Sequence, residues 1–183
     1  MTHRIGYAIL LDEAGHNAAR EIELDLSMRF QTRAGLKQSP HITVKPPFVV
    51  EELDPFVDYF DTLAADTKQF DIEVRGFDYF EPKVIFLNVA ENAALAALHR
   101  KIVADLERDH GIAHDARTEM ENVRFHSTVA TGDLTPENFA KAKEYVAGKH
   151  PSFAFRASRM ALFYQLSPEE GWIVYRQAEL KGA

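Results

Sequence analysis

Two short runs of this chain carry side chains able to perform acid-base chemistry, His41-Ile42-Thr43-Val44 and His126-Ser127-Thr128-Val129. Along a β-strand successive side chains point to opposite faces, so His41 stands beside Thr43 and His126 beside Thr128, while their neighbours turn the other way. Imidazole has a reference pKa of about 6.5, so near neutral pH one of two such rings can be a neutral base while its partner is a protonated acid. Hydroxyls at the neighbouring positions can donate to non-bridging phosphate oxygens and stabilise charge that develops there. If the two runs face each other across a cleft, they present two imidazoles and two hydroxyls to one small phosphoester.

The elements that must position these residues also repeat. Each run lies in a short, apolar, turn-bounded segment that reads as a strand. A helical stretch from Leu53 to Asp66 and a strand opening at Phe70 follow the first; a helical stretch from Pro136 to Ala147 and a strand opening at Phe153 follow the second. The same spacing then separates Phe70 from Phe80 and Phe153 from Phe163. A duplicated unit accounts for this pattern. The expected fold is α+β: a bilobal duplicated fold of two antiparallel sheets flanked by helices, with a pseudo-two-fold axis through a central cleft and residues 1–183 forming a single domain.

Between these landmarks, Ile5–Leu11 reads as a buried strand and Glu13–Phe30 as a helix. Pro46-Pro47, two residues without a backbone donor, should end the first motif strand. Val84–Val89 reads as a strand entered through a hairpin turn at Glu81-Pro82-Lys83. Asn92 can cap a helix with Leu95, Leu98, Ile102 and Leu106 inside and Gly111 at its end, which leaves His99 and His110 at the surface or boundary. Ile112–Asn122 is polar and aperiodic, the best candidate for a mobile loop. The second motif strand should run from Val123 to Ala130, followed by a helix opening at Thr135-Pro136, strands over Met160–Leu166 and Trp172–Leu180, and a turn at Ser167–Gly171.

Strand alternation groups Lys45 with His41 and Thr43, and Arg124 with His126 and Thr128, so both cations are candidate substrate-binding residues. Phe48, Tyr79, Phe80, Tyr164 and Trp172 are candidates for a base-stacking surface, although most suit a core. His110, His114 and Asp115 invite a metal reading, but Gly111 interrupts the helix face they would need, and no metal site is expected.

Composition narrows the partner. Hydrophobic residues make up 46% of the 183 positions, enough for one sizeable core. A formal net charge of −7 disfavours the basic face that a large nucleic-acid footprint needs, so DNA is not expected and a small or short substrate is. The chain has no cysteine, which excludes disulfides and thiolate chemistry and suits a reducing compartment. No apolar run reaches the ~20 residues that span a bilayer, and acidic residues close the first apolar run before it could act as a secretory core. A cytoplasmic monomer is the expectation.

The paired motifs, their spacing and the context Ser39-Pro40-His41-Ile42-Thr43-Val44-Lys45-Pro46-Pro47-Phe48 resemble the 2H phosphoesterase superfamily, which includes the 2′-5′ RNA ligase type of cyclic phosphodiesterase. The resemblance implies a metal-independent phosphoesterase, without cofactor, acting on a 2′,3′-cyclic phosphate or related small cyclic nucleotide phosphodiester, or on a short RNA end. His41 and His126 would be base and acid, in an order the near-symmetric repeat leaves open, with Thr43 and Thr128 holding the phosphate. Many relatives carry an arginine two positions after the second motif, where this chain has Ala130 and Thr131; Lys45 and Arg124 are the cations able to replace it. A bell-shaped pH profile over about pH 6 to 8 is expected for such a pair. The alternative is a non-catalytic module that binds a nucleotide or RNA end.

Overall fold

Ile5, Tyr7 and Ile9 of β1 (His3–Leu10) point into the main core, while Ala8 and Leu10 point the other way and join Ala161 and Phe163 in a second, smaller apolar cluster. β1 is therefore an inner strand covered on both faces, and its second face floors a cleft. The computed structural model describes residues 2–167 and 170–182; Pro168 and Glu169 of the expected turn at Ser167–Gly171 lie outside the described residues.

The elements follow in the order β1, α1 (Glu13–Phe30), β2 (His41–Val50), α2 (Asp54–Asp66), β3 (Phe70–Phe80), β4 (Val84–Val89), α3 (Ala93–His110), β5 (His126–Ala130), α4 (Pro136–Val146), β6 (Ser152–Ala157), β7 (Arg159–Gln165) and β8 (Trp172–Glu179). The helix ends carry the expected chemistry. Asp12, Asn92 and Thr135 accept from the backbone N–H of Gly15, Leu95 and Asn138 at the starts of α1, α3 and α4, and Gly111 adopts the left-handed conformation (φ 66°) that closes α3.

Two four-stranded antiparallel sheets result, in the orders β2-β1-β7-β8 and β5-β4-β3-β6. The orders are equivalent when β1, β2, β7 and β8 are matched to β4, β5, β3 and β6. Each sheet thus draws on both sequence halves: β3 follows the first motif but pairs with β4, and β7 follows the second motif but pairs with β1. Helices cross over in the same way, α1 packing against β5 and β6, and α3 against β2. Among the described residues no helix is long and apolar enough to cross a membrane.

Three expectations need correction. β2 runs through Pro46-Pro47 to Val50. It can do so because it is an edge strand, and its register against β1 shifts on either side of Tyr7, so the missing donors fall at irregularities. The segment expected as a mobile loop contains a π-helical turn, Arg117–Glu121, with Glu119 buried. The second motif strand opens at His126, not Val123.

The segment between α1 and β2 is pinned to the turn after β5. One Asp133 carboxylate oxygen accepts from the Thr32 hydroxyl (3.0 Å), and the other from the N–H groups of Arg33 (2.7 Å) and Ala34 (3.1 Å). Burial pushes the Asp133 carboxyl's pKa up, but these donors together outweigh it and hold it below the usual value. Gly132, at φ 79°, lets the chain turn there, since a Cβ would come within 2.9 Å of the Ala34 methyl. Asp133→Ala should lower unfolding free energy by about 1–2 kcal/mol, as expected for a partly exposed charge-assisted cluster, measured by urea denaturation at pH 7.

Candidate active site

β2 and β5 are the edge strands that the two sheets turn toward each other, and they pack together. His41 and Thr43 stand opposite Leu10 and Ala8 of β1; His126 and Thr128 stand opposite Asn88 and Phe86 of β4. The two motifs therefore occupy matching positions. Their histidines are held alike as well: His41 Nδ1 lies 2.8 Å from the Ser39 carbonyl and His126 Nδ1 lies 2.7 Å from the Arg124 carbonyl. A carbonyl only accepts, so Nδ1 carries the proton in both rings and Nε2 is left for proton transfer.

The repeat crosses over beneath the rings. Phe163, at the end of the second repeat, lies 4.5 Å from His41 between ring centres, and Phe80, at the end of the first, lies 5.1 Å from His126, where Phe86 adds a contact at 4.7 Å. Each histidine rests on a phenylalanine from the other repeat.

His41, Thr43 and Thr128 line one cavity of about 420 Å³, within the usual range for a small-ligand site. Thr43 also borders an adjoining cavity of about 250 Å³, which His126 lines with Phe80 and Arg124. Thr43 is thus the shared wall between the two histidine compartments. A larger cavity, about 670 Å³, lies between the start of α3 and residues 119–125 and contains neither motif histidine.

Burial lowers the pKa of both imidazoles below the ordinary value. For His41 the bond to Ser39 opposes this and the nearby His126 charge adds to it; for His126 the bond to Arg124 opposes it and the Arg124 charge adds to it. The pH profile of any reaction using them should accordingly sit on the acid side of the range expected from the sequence.

Lys45 and Arg124 are both committed to carboxylates. Lys45 lines the His41 cavity, yet it is 1% exposed and its Nζ lies 2.5 Å from Glu119 Oε2. The other Glu119 oxygen accepts from Asp115 N–H at 3.1 Å. Arg124 pairs with Asp78 and lies 5.4 Å from the rings of Phe80 and Phe86. His99, expected at the surface or boundary, is buried, its two ring nitrogens 2.7 Å from the Val44 carbonyl and 2.6 Å from the Glu119 carbonyl. Lys45 and His99 together fasten the segment leading into the second motif onto the strand carrying the first. Glu119 had no sequence signal, lying in an aperiodic charged stretch; His99 had one that was passed over, since it falls one position beyond Leu98 and four beyond Leu95 in the apolar stripe of α3. Among the described residues no group of three His, Cys, Asp or Glu side chains is arranged to hold a metal ion.

Lys45→Met should destabilise by about 3–5 kcal/mol in urea denaturation, because it leaves a buried carboxylate unpaired, and Lys45→Met/Glu119→Leu should recover most of the loss. The motif histidines supply a pH test. Their folded pKa values lie below the unfolded value of about 6.5, so the unfolded chain takes up protons first as pH falls. Their contribution to stability is complete above that value and is lost as pH falls toward the folded values; replacing both by Asn should flatten this part of the stability profile.

The family model for the 2′-5′ RNA ligase superfamily matches residues 11–169. No curated protein sequence matches the chain. Among solved structures, TT0787 of Thermus thermophilus is similar with a TM-score of 0.66 at 20% identity, covering 98% of both chains. Escherichia coli LigT in its apo form gives 0.63 at 12% identity over 99% of both chains. The complex of Escherichia coli LigT with 3′-AMP gives 0.62 at 11% identity, again over 99% of both chains. At these identities the structures establish a shared fold, and the match over most of the chain establishes descent: the chain belongs to the 2′-5′ RNA ligase superfamily.

Proposed function

We propose that this chain is a cyclic phosphodiesterase that opens a 2′,3′-cyclic phosphate, or a closely related small cyclic nucleotide phosphodiester, by histidine acid-base catalysis without a metal. The observation that carries this reading is the matched pair of motifs, each with Nδ1 held by a carbonyl and Nε2 left for proton transfer. In the hydrolytic step one neutral Nε2 removes a proton from water as the water oxygen bonds to phosphorus. The P–O bond to one ribose oxygen breaks, and the protonated Nε2 of the other histidine returns a proton to that oxygen. The product is a ribose phosphomonoester. Thr43 and Thr128 donate to the non-bridging oxygens and favour the charge that accumulates on them. The complexes of Escherichia coli LigT with 3′-AMP, NADP+ and ATP support a small nucleotide as the ligand class.

Because burial holds both imidazoles neutral, the acid must be loaded when the anionic substrate arrives and favours an imidazolium. Binding of a nucleotide phosphomonoester near pH 7 should therefore take up protons. Calorimetry in buffers of different ionisation enthalpy measures this directly, and binding with no net proton uptake would contradict the loading step. His41→Ala and His126→Ala should each lower turnover of a 2′,3′-cyclic nucleotide at least ~100-fold with the fold intact. Thr43→Ala and Thr128→Ala should cost about tenfold. Activity should persist in chelator. Tight nucleotide binding with no turnover by the wild type would identify a binding module instead.

A further inference from the structure

The equivalence of the two sheets makes their differences informative. Where β4 carries Val84 and Phe86, β1 carries Gly6 and Ala8, and where β3 carries Asp78, β7 carries Ala161. The floor beside His126 is filled by a phenylalanine and by the Asp78–Arg124 pair. Beside His41 the floor is cleared by Gly6 and Ala8, which line the cavity. The compartment on the β1 side is accordingly the larger of the two that hold the motif residues, about 420 Å³ against about 250 Å³.

The larger compartment continues. Gln38, Thr131 and Trp172 border both the His41 cavity and a further compartment of about 230 Å³, which Lys37, Gln165, Ala34 and Gly171 complete. That volume is below the usual range for a separate small-ligand site, so it reads as an extension of the first cavity. No Asp or Glu lines either compartment among the described residues, in a chain with a formal net charge of −7.

The extension is built from donors on a fixed frame. Arg20 donates to the carbonyls on either side of Lys37, to Leu36 at 3.3 Å and to Gln38 at 2.8 Å, and is itself held at 2.6 Å by the buried Glu23. Asp133 pins the residues just before. Lys37 thus stands on a braced turn. Gln165 contributes in a complementary way: Arg4 donates to its amide oxygen at 2.6 Å, which leaves the amide N–H groups as the end able to bind a ligand. The same guanidinium lies 5.4 Å from the Trp172 ring, adding positive charge at this end of the cleft.

We propose that the compartment between Lys37, Gln165 and Trp172 binds a second phosphate of the substrate, so that the preferred substrate is a nucleoside 2′,3′-cyclic phosphate that also carries a phosphate on its 5′ oxygen. The inference rests on the cyclic phosphodiesterase reading for its orientation. With the 2′ and 3′ oxygens at the histidines, the 5′ oxygen is the remaining ribose position that carries a phosphate. That group can be the monoester of a free nucleotide or the diester joining the last residue of an RNA strand to the one before it.

Binding tests the subsite without requiring turnover. By calorimetry, adenosine 3′,5′-bisphosphate should bind about fivefold more tightly than 3′-AMP, the size expected of one partly exposed charge pair. Lys37→Ala should abolish that preference and Lys37→Arg should keep it. Equal affinities in the wild type, or a preference that survives Lys37→Ala, would overturn the proposal. Turnover separates the sources. A 5′-phosphorylated adenosine 2′,3′-cyclic phosphate and a dinucleotide ending in the cyclic phosphate should both exceed the 5′-hydroxyl mononucleotide in kcat/KM if an RNA end is bound, and only the first should if a monoester is required. An advantage for neither would overturn the proposal. An intact bisphosphate preference without hydrolysis of any cyclic phosphate would support the subsite and reject the catalytic reading alone.

Discussion

The geometry of the cleft depends on a reciprocal grip between the two motif strands. The middle of β2 holds the segment that leads into β5, through the buried Lys45–Glu119 pair and the His99 ring between two carbonyls. The turn after β5 holds the segment that leads into β2, through Asp133 and the donors at Thr32, Arg33 and Ala34. Both motif strands are sheet edges, so no continuous ladder joins the two sheets across the cleft. The separation of the histidines is left to these side-chain contacts, and a general acid and base serving one phosphate tolerate little error in that separation.

Such a grip explains why two cations near the motifs have different fates from those the strand pattern suggests. Alternation correctly associates Lys45 with the first motif cavity and Arg124 with His126. It says nothing about what stands opposite. Lys45 meets Glu119 in a dry setting, where an unpaired ammonium would be costly, and its charge is consumed in holding the site together. Arg124 meets Asp78 in a more exposed setting, where the pair is weaker and the guanidinium also covers aromatic faces.

Much of the architecture was legible in the residues because the local signals were strong. The 3.6-residue stripe of α3, its Asn92 cap and Gly111 terminus, and the repeated spacing of the motifs all depend on short-range chemistry that a sequence displays. Three features were not legible. Pro46-Pro47 reads as a strand end unless one knows that β2 is an edge. Glu119 is buried only because Lys45 reaches it from another strand. The placement of β7 beside β1 depends on long-range pairing, and the spacing of Phe80 and Phe163 announces the repeat without saying which histidine each will support.

That placement has a consequence for how the protein comes into being. His41 belongs to an early part of the chain, but Phe163 and Trp172, which floor and bound its cavity, belong to the last strands. During synthesis from the N-terminus the first motif emerges with its apolar support still unmade, and β1 lacks its neighbour β7. The His126 half differs, since Phe80, Phe86 and β4 all precede it in the chain. Because β1 pairs with β7 across almost the whole sequence, the loop-closure cost of the His41 wall is met last, and the catalytic pair is complete only once the C-terminal strands have docked.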